Sequence, residues 1–122
     1  MEVTMDKVFE TSLLLDFYGQ LLTDRQFEIL DLLYNNDLTL TEIAEQLSIS
    51  RQGVFDNEKR GRALLVEYEN KLGLLSKFSL QKQKAEQVQK YLTELNTAEF
   101  SQNNKAIIEQ VIREINELAN NI

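Results

Sequence analysis

The chain has 122 residues, with 13 Lys and Arg against 20 Asp and Glu, for a formal charge of −7. That length suits one domain with an appended element at most, and hydrophobic residues at 43% with charged residues at 27% allow a sizeable core rather than a disordered chain. Cysteine, histidine, proline and tryptophan are absent, which excludes disulfide scaffolds, thiolate chemistry, thiolate or imidazole metal ligation and any triad with a histidine base.

The amino terminus, MEVTMDKVFE, is acidic where a secretory signal needs positive charge, and the apolar run Leu13-Leu14-Leu15 stops at Asp16. No membrane span or export is expected, and the chain reads as cytoplasmic. Its acidity argues against non-specific nucleic-acid binding by the whole surface. The lack of proline, the scarcity of glycine and the abundance of Leu, Glu, Gln, Lys and Ile predict an all-α fold.

Phe9, Leu13, Phe17 and Leu21 recur every four residues and predict a first helix ending near Gly19, with Leu21 packing just beyond it. Thr23-Asp24-Arg25-Gln26 has the form of a capping box, so a second helix starts near Asp24. Its expected buried stripe is Phe27, Leu30, Leu33 and Tyr34, and Asn35-Asn36-Asp37 stops it because these side chains compete for backbone hydrogen bonds. Thr39-Leu40-Thr41-Glu42 repeats the capping pattern.

From Thr39 to about Asn57 the spacing is that of a helix-turn-helix: a short helix Leu40 to Leu47, an interruption at Ser48-Ile49-Ser50, and a longer helix capped by Ser50. Ile43 and Leu47 face the core, Ala44 is small where two helices cross, Ile49 plugs the turn and Val54 anchors the second helix. Ser48 occupies the position where glycine best tolerates a left-handed backbone. The same scaffold serves DNA binding, RNA binding and protein contacts.

With Ile49 and Val54 inward, Arg51, Gln52, Phe55, Asp56 and Lys59 project outward, the surface a recognition helix offers to the major groove. Arg51 suits guanine or a phosphate, Gln52 suits the edge of adenine, and Lys59, Arg60 and Arg62 suit the phosphate backbone. Asp56 repels phosphate unless it accepts from cytosine. With Ser50, these residues form the candidate nucleic-acid site. Residues 50–62 carry a local charge of +2, from four basic and two acidic side chains, inside a segment 20–70 whose five basic and ten acidic residues give −5. A solvated helix face is the competing reading of Lys59-Arg60-Gly61-Arg62.

The run DFYGQLLTDRQFEILDLLYNNDLTLTEIAEQLSISRQGVFDNEKR resembles the YlxM family, small bacterial helix-turn-helix proteins whose central part is similar to region 4 of sigma factors. Phe17-Tyr18-Gly19, Leu22-Thr23, Glu42-Ile43-Ala44-Glu45, Ser50-Arg51-Gln52 and Asp56-Asn57 carry the likeness, which spans roughly Leu14 to Leu75. The resemblance implies an all-helical fold, no catalytic activity and a link to the signal recognition particle pathway, as regulator or accessory factor, because members are typically encoded beside its protein components. Departures from the family pattern are Gly53 for alanine, Phe55 for tyrosine, Glu58 for isoleucine, and Gly61 for a residue with a side chain. Each helix-interior glycine costs about 1 kcal/mol relative to alanine. Glu58 falls in the seam 54, 58, 61, 65, 68, 72, where a buried carboxylate needs a partner; Arg62, four residues on, is the nearest.

The helix from Ser50 is expected to run through Leu64, Leu65 and Tyr68 to a cap at Gly73. Beyond it Leu75, Phe78, Ala85, Val88, Leu92 and Leu95, then Ile108, Val111, Ile115, Leu118 and Ile122, follow helical spacing and predict two more helices broken around Asn96 to Asn104. From Lys71 onward, with Lys77, Lys82, Lys84, Lys90 and Lys105, there are seven basic and six acidic residues. The expected organisation is a helix-turn-helix domain at 1–73 with its leading helix and a helical extension at 74–122, packed as one unit. The last stripe fits intramolecular packing or dimerisation, and a homodimer held by the carboxy-terminal helices and the long helix after Arg62 is expected.

Carboxylate chemistry is the remaining catalytic option. Glu42 and Glu45, or Glu28 and Asp31, are three residues apart on a helix, but inward carboxylates do not recur on partner helices as bundle metal sites require. Neither an enzyme nor a cofactor is expected. The leading expectation is a nucleic-acid-binding regulator or accessory factor whose partner is DNA, the particle's RNA or its protein. The alternative is an adaptor that uses the helix-turn-helix as a scaffold for protein contacts.

Overall fold

The computed structural model describes residues 5–121, and over them the chain is helical without strands. Ile122, which the spacing adds to the last stripe, and the first four residues of the acidic amino terminus lie outside this range. Helices α1 (Met5–Tyr18), α2 (Asp24–Tyr34), α3 (Leu40–Leu47), α4 (Arg51–Leu72), α5 (Leu74–Thr93) and α6 (Gln102–Asn121) follow one another, with a 3₁₀ turn at Gly19–Leu21 between α1 and α2. The described residues divide at Leu75 and Ser76 into two compact units. No helix among them is long and apolar enough to cross a membrane.

In the first unit, α4 is the spine against which α1, α2 and α3 pack. Its core has two parts. Leu14, Leu15, Tyr18 and Leu22 meet Leu30, Tyr34 and Leu65 where α1, α2 and α4 converge, while Ile29, Ile43, Ala44 and Val54 join α2, α3 and the first turns of α4. Placing Ile29 and Leu30 side by side lets α2 fill both parts at once.

The first helix buries most deeply a face next to the one its four-residue repeat predicts: of that repeat Leu13 and Phe17 are half-buried, Phe17 packing against the edge of the core. Phe9 is 68% exposed and Leu21 is also exposed, whereas Thr11, Leu14, Leu15 and Tyr18 are buried. The reason is tertiary: Leu14, Leu15 and Tyr18 recur at the one, three and four spacings of a helix face as well as the Phe9 series does, and it is their face that meets α2 and α4. Phe27 is likewise more exposed than the α2 stripe predicts, with its ring laid against Gly19, where a Cβ would stand 2.8 Å from Phe27 Cε2.

The helix boundaries agree with the local chemistry. At Thr23 and Thr39 both halves of the capping box form, the threonine accepting from the third amide and the Gln26 or Glu42 side chain accepting from the threonine's own N–H. Gly73 ends α4 at φ 64°, a left-handed turn natural to glycine. The buried Tyr18 hydroxyl donates to Glu69 at 2.7 Å and accepts from Leu74 N at 3.0 Å, while Glu69 accepts from Leu75 N at 2.9 Å. Two free amides at the start of α5 are thereby satisfied.

In the second unit α5 and α6 form an antiparallel pair joined by residues 94–101, which overlaps the break expected around Asn96 to Asn104 but begins two residues earlier and ends before Gln102. Gln89 of α5 bonds Asn116 of α6 at 2.7 Å. Leu95 lies past the end of α5 and is exposed. Of the expected stripes only Ala85 is fully buried, and on α6 the buried residue is Ala119; Val88, Val111 and Leu118 stay open to solvent.

Candidate nucleic-acid interface

The short segment between α3 and α4 sets the geometry. Thr39 caps α3, and its backbone and hydroxyl contacts with Glu42 hold the Glu42 carboxyl below its ordinary range. Ser48 takes a left-handed conformation at φ 57°, ψ 42°, the strain a helix C-cap imposes on a residue with a side chain. Ile49 N bonds back to Ala44 O at 3.1 Å, and the Ile49 side chain packs against the cluster of Ile29, Ile43, Ala44 and Val54. Ser50 returns to extended backbone, and its Oγ accepts from Gly53 N at 2.9 Å to start α4. Buried Ile43 and Val54 are thus held together on the inner side of a helix-turn-helix.

The outer side of α4 carries most of the candidate residues. Arg51, Gln52, Lys59 and Arg60 are exposed, as is Ser50, whereas Phe55 and Asp56 are half-buried. Gln52 Nε2 donates to Asp56 Oδ1 at 3.0 Å, one turn along, so the amide expected to read a base edge is held by a neighbouring carboxylate. Asn57 donates to Gly53 O at 2.8 Å and fastens the helix to its own first turn.

Arg62 has a different surrounding from the other basic residues. Its Nε–H donates to Glu58 Oε1 at 2.7 Å, and its side chain is about one-third exposed. Glu58 is fully buried, and the same Oε1 accepts from the Tyr34 hydroxyl at 2.7 Å. The partner expected for Glu58 is therefore present. A second one, Tyr34, escapes a reading of the sequence that places it in an apolar stripe; the available signal is that a buried tyrosine hydroxyl requires an acceptor. Burial, then the hydrogen bond to Glu58, raises the Tyr34 hydroxyl well above its ordinary value, and the hydrogen bond to Glu58 raises Arg62. The triad ties α4 to the end of α2 directly behind the candidate face.

Gly61 explains itself in the same region. A Cβ there would lie 2.8 Å from Leu30 Cδ1, and Leu30 is fully buried. The glycine that weakens the isolated helix is what lets α2 and α4 approach. Gly53 sits in ordinary helical backbone, where a Cβ would stand 3.2 Å from Ser50 Oγ. The seam of α4 is buried at Val54, Glu58, Gly61 and Leu65, partly at Tyr68, and ends there, since Leu72 is exposed. Among the described residues no cluster of three or more acidic side chains could hold a metal ion.

Comparison with known proteins agrees with this architecture. A family model described as "Putative helix-turn-helix protein, YlxM / p13 like" matches residues 5–107. A UPF0122 protein of Acetivibrio thermocellus is 55% identical over 114 residues, covering 93% of this chain and 97% of the relative. Another from a Thermoanaerobacter species is 44% identical over 113 residues, covering 93% and 96%, and one from Halalkalibacterium halodurans is 42% identical over 95 residues, covering 78% and 87%. With its helix-turn-helix in place and a match along most of its length, the chain belongs to the UPF0122 family of YlxM / p13 like proteins.

Proposed function

We propose that this chain is a cytoplasmic nucleic-acid-binding protein that acts without catalysis, as a regulator or accessory factor of the signal recognition particle pathway. The observation that carries the reading is the exposure of Arg51, Gln52, Lys59 and Arg60 on the outer face of α4, with the turn and the buried Ile43 and Val54 behind it. Inserted in a groove, the first turn of α4 brings Arg51 and Gln52 to base edges, and Lys59 and Arg60 to phosphates. Ser50 N-terminal to Arg51, and Phe55 and Asp56 one turn on, complete the contact face. Arg62 serves mainly to neutralise Glu58. The pathway assignment rests on the family resemblance rather than on the geometry.

A protein-binding adaptor is the second reading. It is favoured by the strong negative charge around the helix-turn-helix and by the bond that holds Gln52 to Asp56.

Titration against duplex DNA and structured RNA across a range of salt concentrations separates the two. Affinity is expected to fall with a log–log slope of about 0.9 per neutralised phosphate on duplex DNA, and Arg51→Ala or Lys59→Ala should flatten that slope by about one phosphate each. Gln52→Ala should alter sequence preference while sparing non-specific affinity, because it carries no charge. A salt-independent interaction would instead support the adaptor.

A further inference from the structure

The pair of helices in the second unit leaves an apolar groove open between them. About 520 Å³ in volume, it is lined by Leu80, Lys84, Ala85 and Val88 of α5 and by Ile115 and Leu118 of α6. Val88 is 40% exposed, Leu118 is 53% exposed, and Ile107 and Val111 extend the apolar flank along α6. Two helices of this length have no interior of their own: an antiparallel pair is half of a four-helix bundle, and its open flank needs two more helices to close it.

The charges on that flank are arranged in a self-complementary way. Along α5, Lys84 stands four residues after Leu80 and four before Val88; along α6, Glu114 stands three residues after Val111 and four before Leu118. Each apolar strip therefore has one charge at its middle, positive on α5 and negative on α6. A two-fold axis that sets α5 against the α6 of another copy places Lys84 opposite Glu114 twice, with apolar residues on either side. The distribution of net charge supports the same contact. Residues 1–75 hold seven basic and fourteen acidic side chains and so the whole charge of −7, whereas residues 76–122 hold six of each. Two copies meeting through their second units bring together the parts of the chain that carry no net charge.

We infer that the α5–α6 groove is a homodimer interface, in which a second copy of this chain closes a four-helix bundle and pairs Lys84 with Glu114 across the two-fold axis. The inference is independent of the nucleic-acid reading and places two helix-turn-helix units on one particle.

Sedimentation of the full chain at micromolar concentration tests it, with far-UV circular dichroism recorded on each variant. The unaltered chain should sediment as a dimer. Val88→Glu, which buries a carboxylate in each half of the interface, should weaken association at least about a hundredfold. Lys84→Glu and Glu114→Lys should each weaken it by about fivefold or more by setting like charges together, and the double variant K84E/E114K should recover the original affinity. The charge reversals alter solvent-facing side chains, so they decide the matter even where Val88→Glu loses helix. A monomer throughout the micromolar range overturns the inference, as does a dimer indifferent to both reversals or a double variant no better than either single one.

Discussion

The two units differ in how they use the same kind of residue. In the first, aliphatic side chains on four helices converge, and Ile29, Leu30, Ile43, Val54 and Leu65 are sealed from solvent. In the second, the described residues bury only two alanines, while leucines, isoleucines and valines of similar spacing stay open. Apolar periodicity thus states that a face wants cover without saying what covers it. Three or more helices enclose a core, whereas a pair has only a seam. A carboxylate can also enter the first unit's core, provided the core supplies partners, as Tyr34 and Arg62 do for Glu58.

The contrast is sharpest for equivalent truncations. Leu65→Ala should cost the first unit about 2–5 kcal/mol in chemical denaturation, since the cavity lies where α1, α2 and α4 meet. Val88→Ala, at a half-open position, should cost well under about 1 kcal/mol at concentrations where the chain is monomeric. Equal losses would erase the distinction between the units.

The buried triad comes next in size. Arg62→Ala leaves Glu58 without its cation and should destabilise the first unit by about 3 kcal/mol. Tyr34→Phe removes one hydrogen bond to a buried carboxylate and should cost about 1–3 kcal/mol at neutral pH. Tyr34 also carries a pH signature. Its folded value lies above the ordinary 10.0, so the folded state keeps a proton that the unfolded state gives up, and stability declines as pH rises beyond about 10. Thermal melts of Tyr34→Phe in alkaline buffer should lack that part of the decline. An unchanged slope would mean that the hydroxyl is not held as the geometry describes.

The smallest effect sharpens the turn. Ser48→Gly relieves a left-handed backbone at φ 57° and should raise stability by about 0.5–1 kcal/mol, visible as an upward shift in Tm. Because Ser48 is exposed and precedes the candidate face, the substitution should leave any nucleic-acid affinity nearly unchanged, which separates rigidity of the turn from recognition.

Much of this arrangement is local and therefore readable from the chain. The two capping boxes, the Ser50 cap, the left-handed positions at Ser48 and Gly73 and the extent of α3 and α4 all depend on contacts within a few residues, where backbone sterics and hydrogen-bonding chemistry leave little choice. The outward positions of Arg51, Gln52 and Lys59 follow from the helical repeat once Val54 is inward. Which face of α1 is buried does not follow, because Phe9, Leu13 and Phe17 and Thr11, Leu14, Leu15 and Tyr18 are both acceptable stripes and the packing of α2 and α4 selects between them. The same holds for the Tyr34 hydroxyl on Glu58 and the fit of Gly61 to Leu30: each joins residues more than twenty positions apart, and no local pattern encodes a contact that exists only when two helices meet.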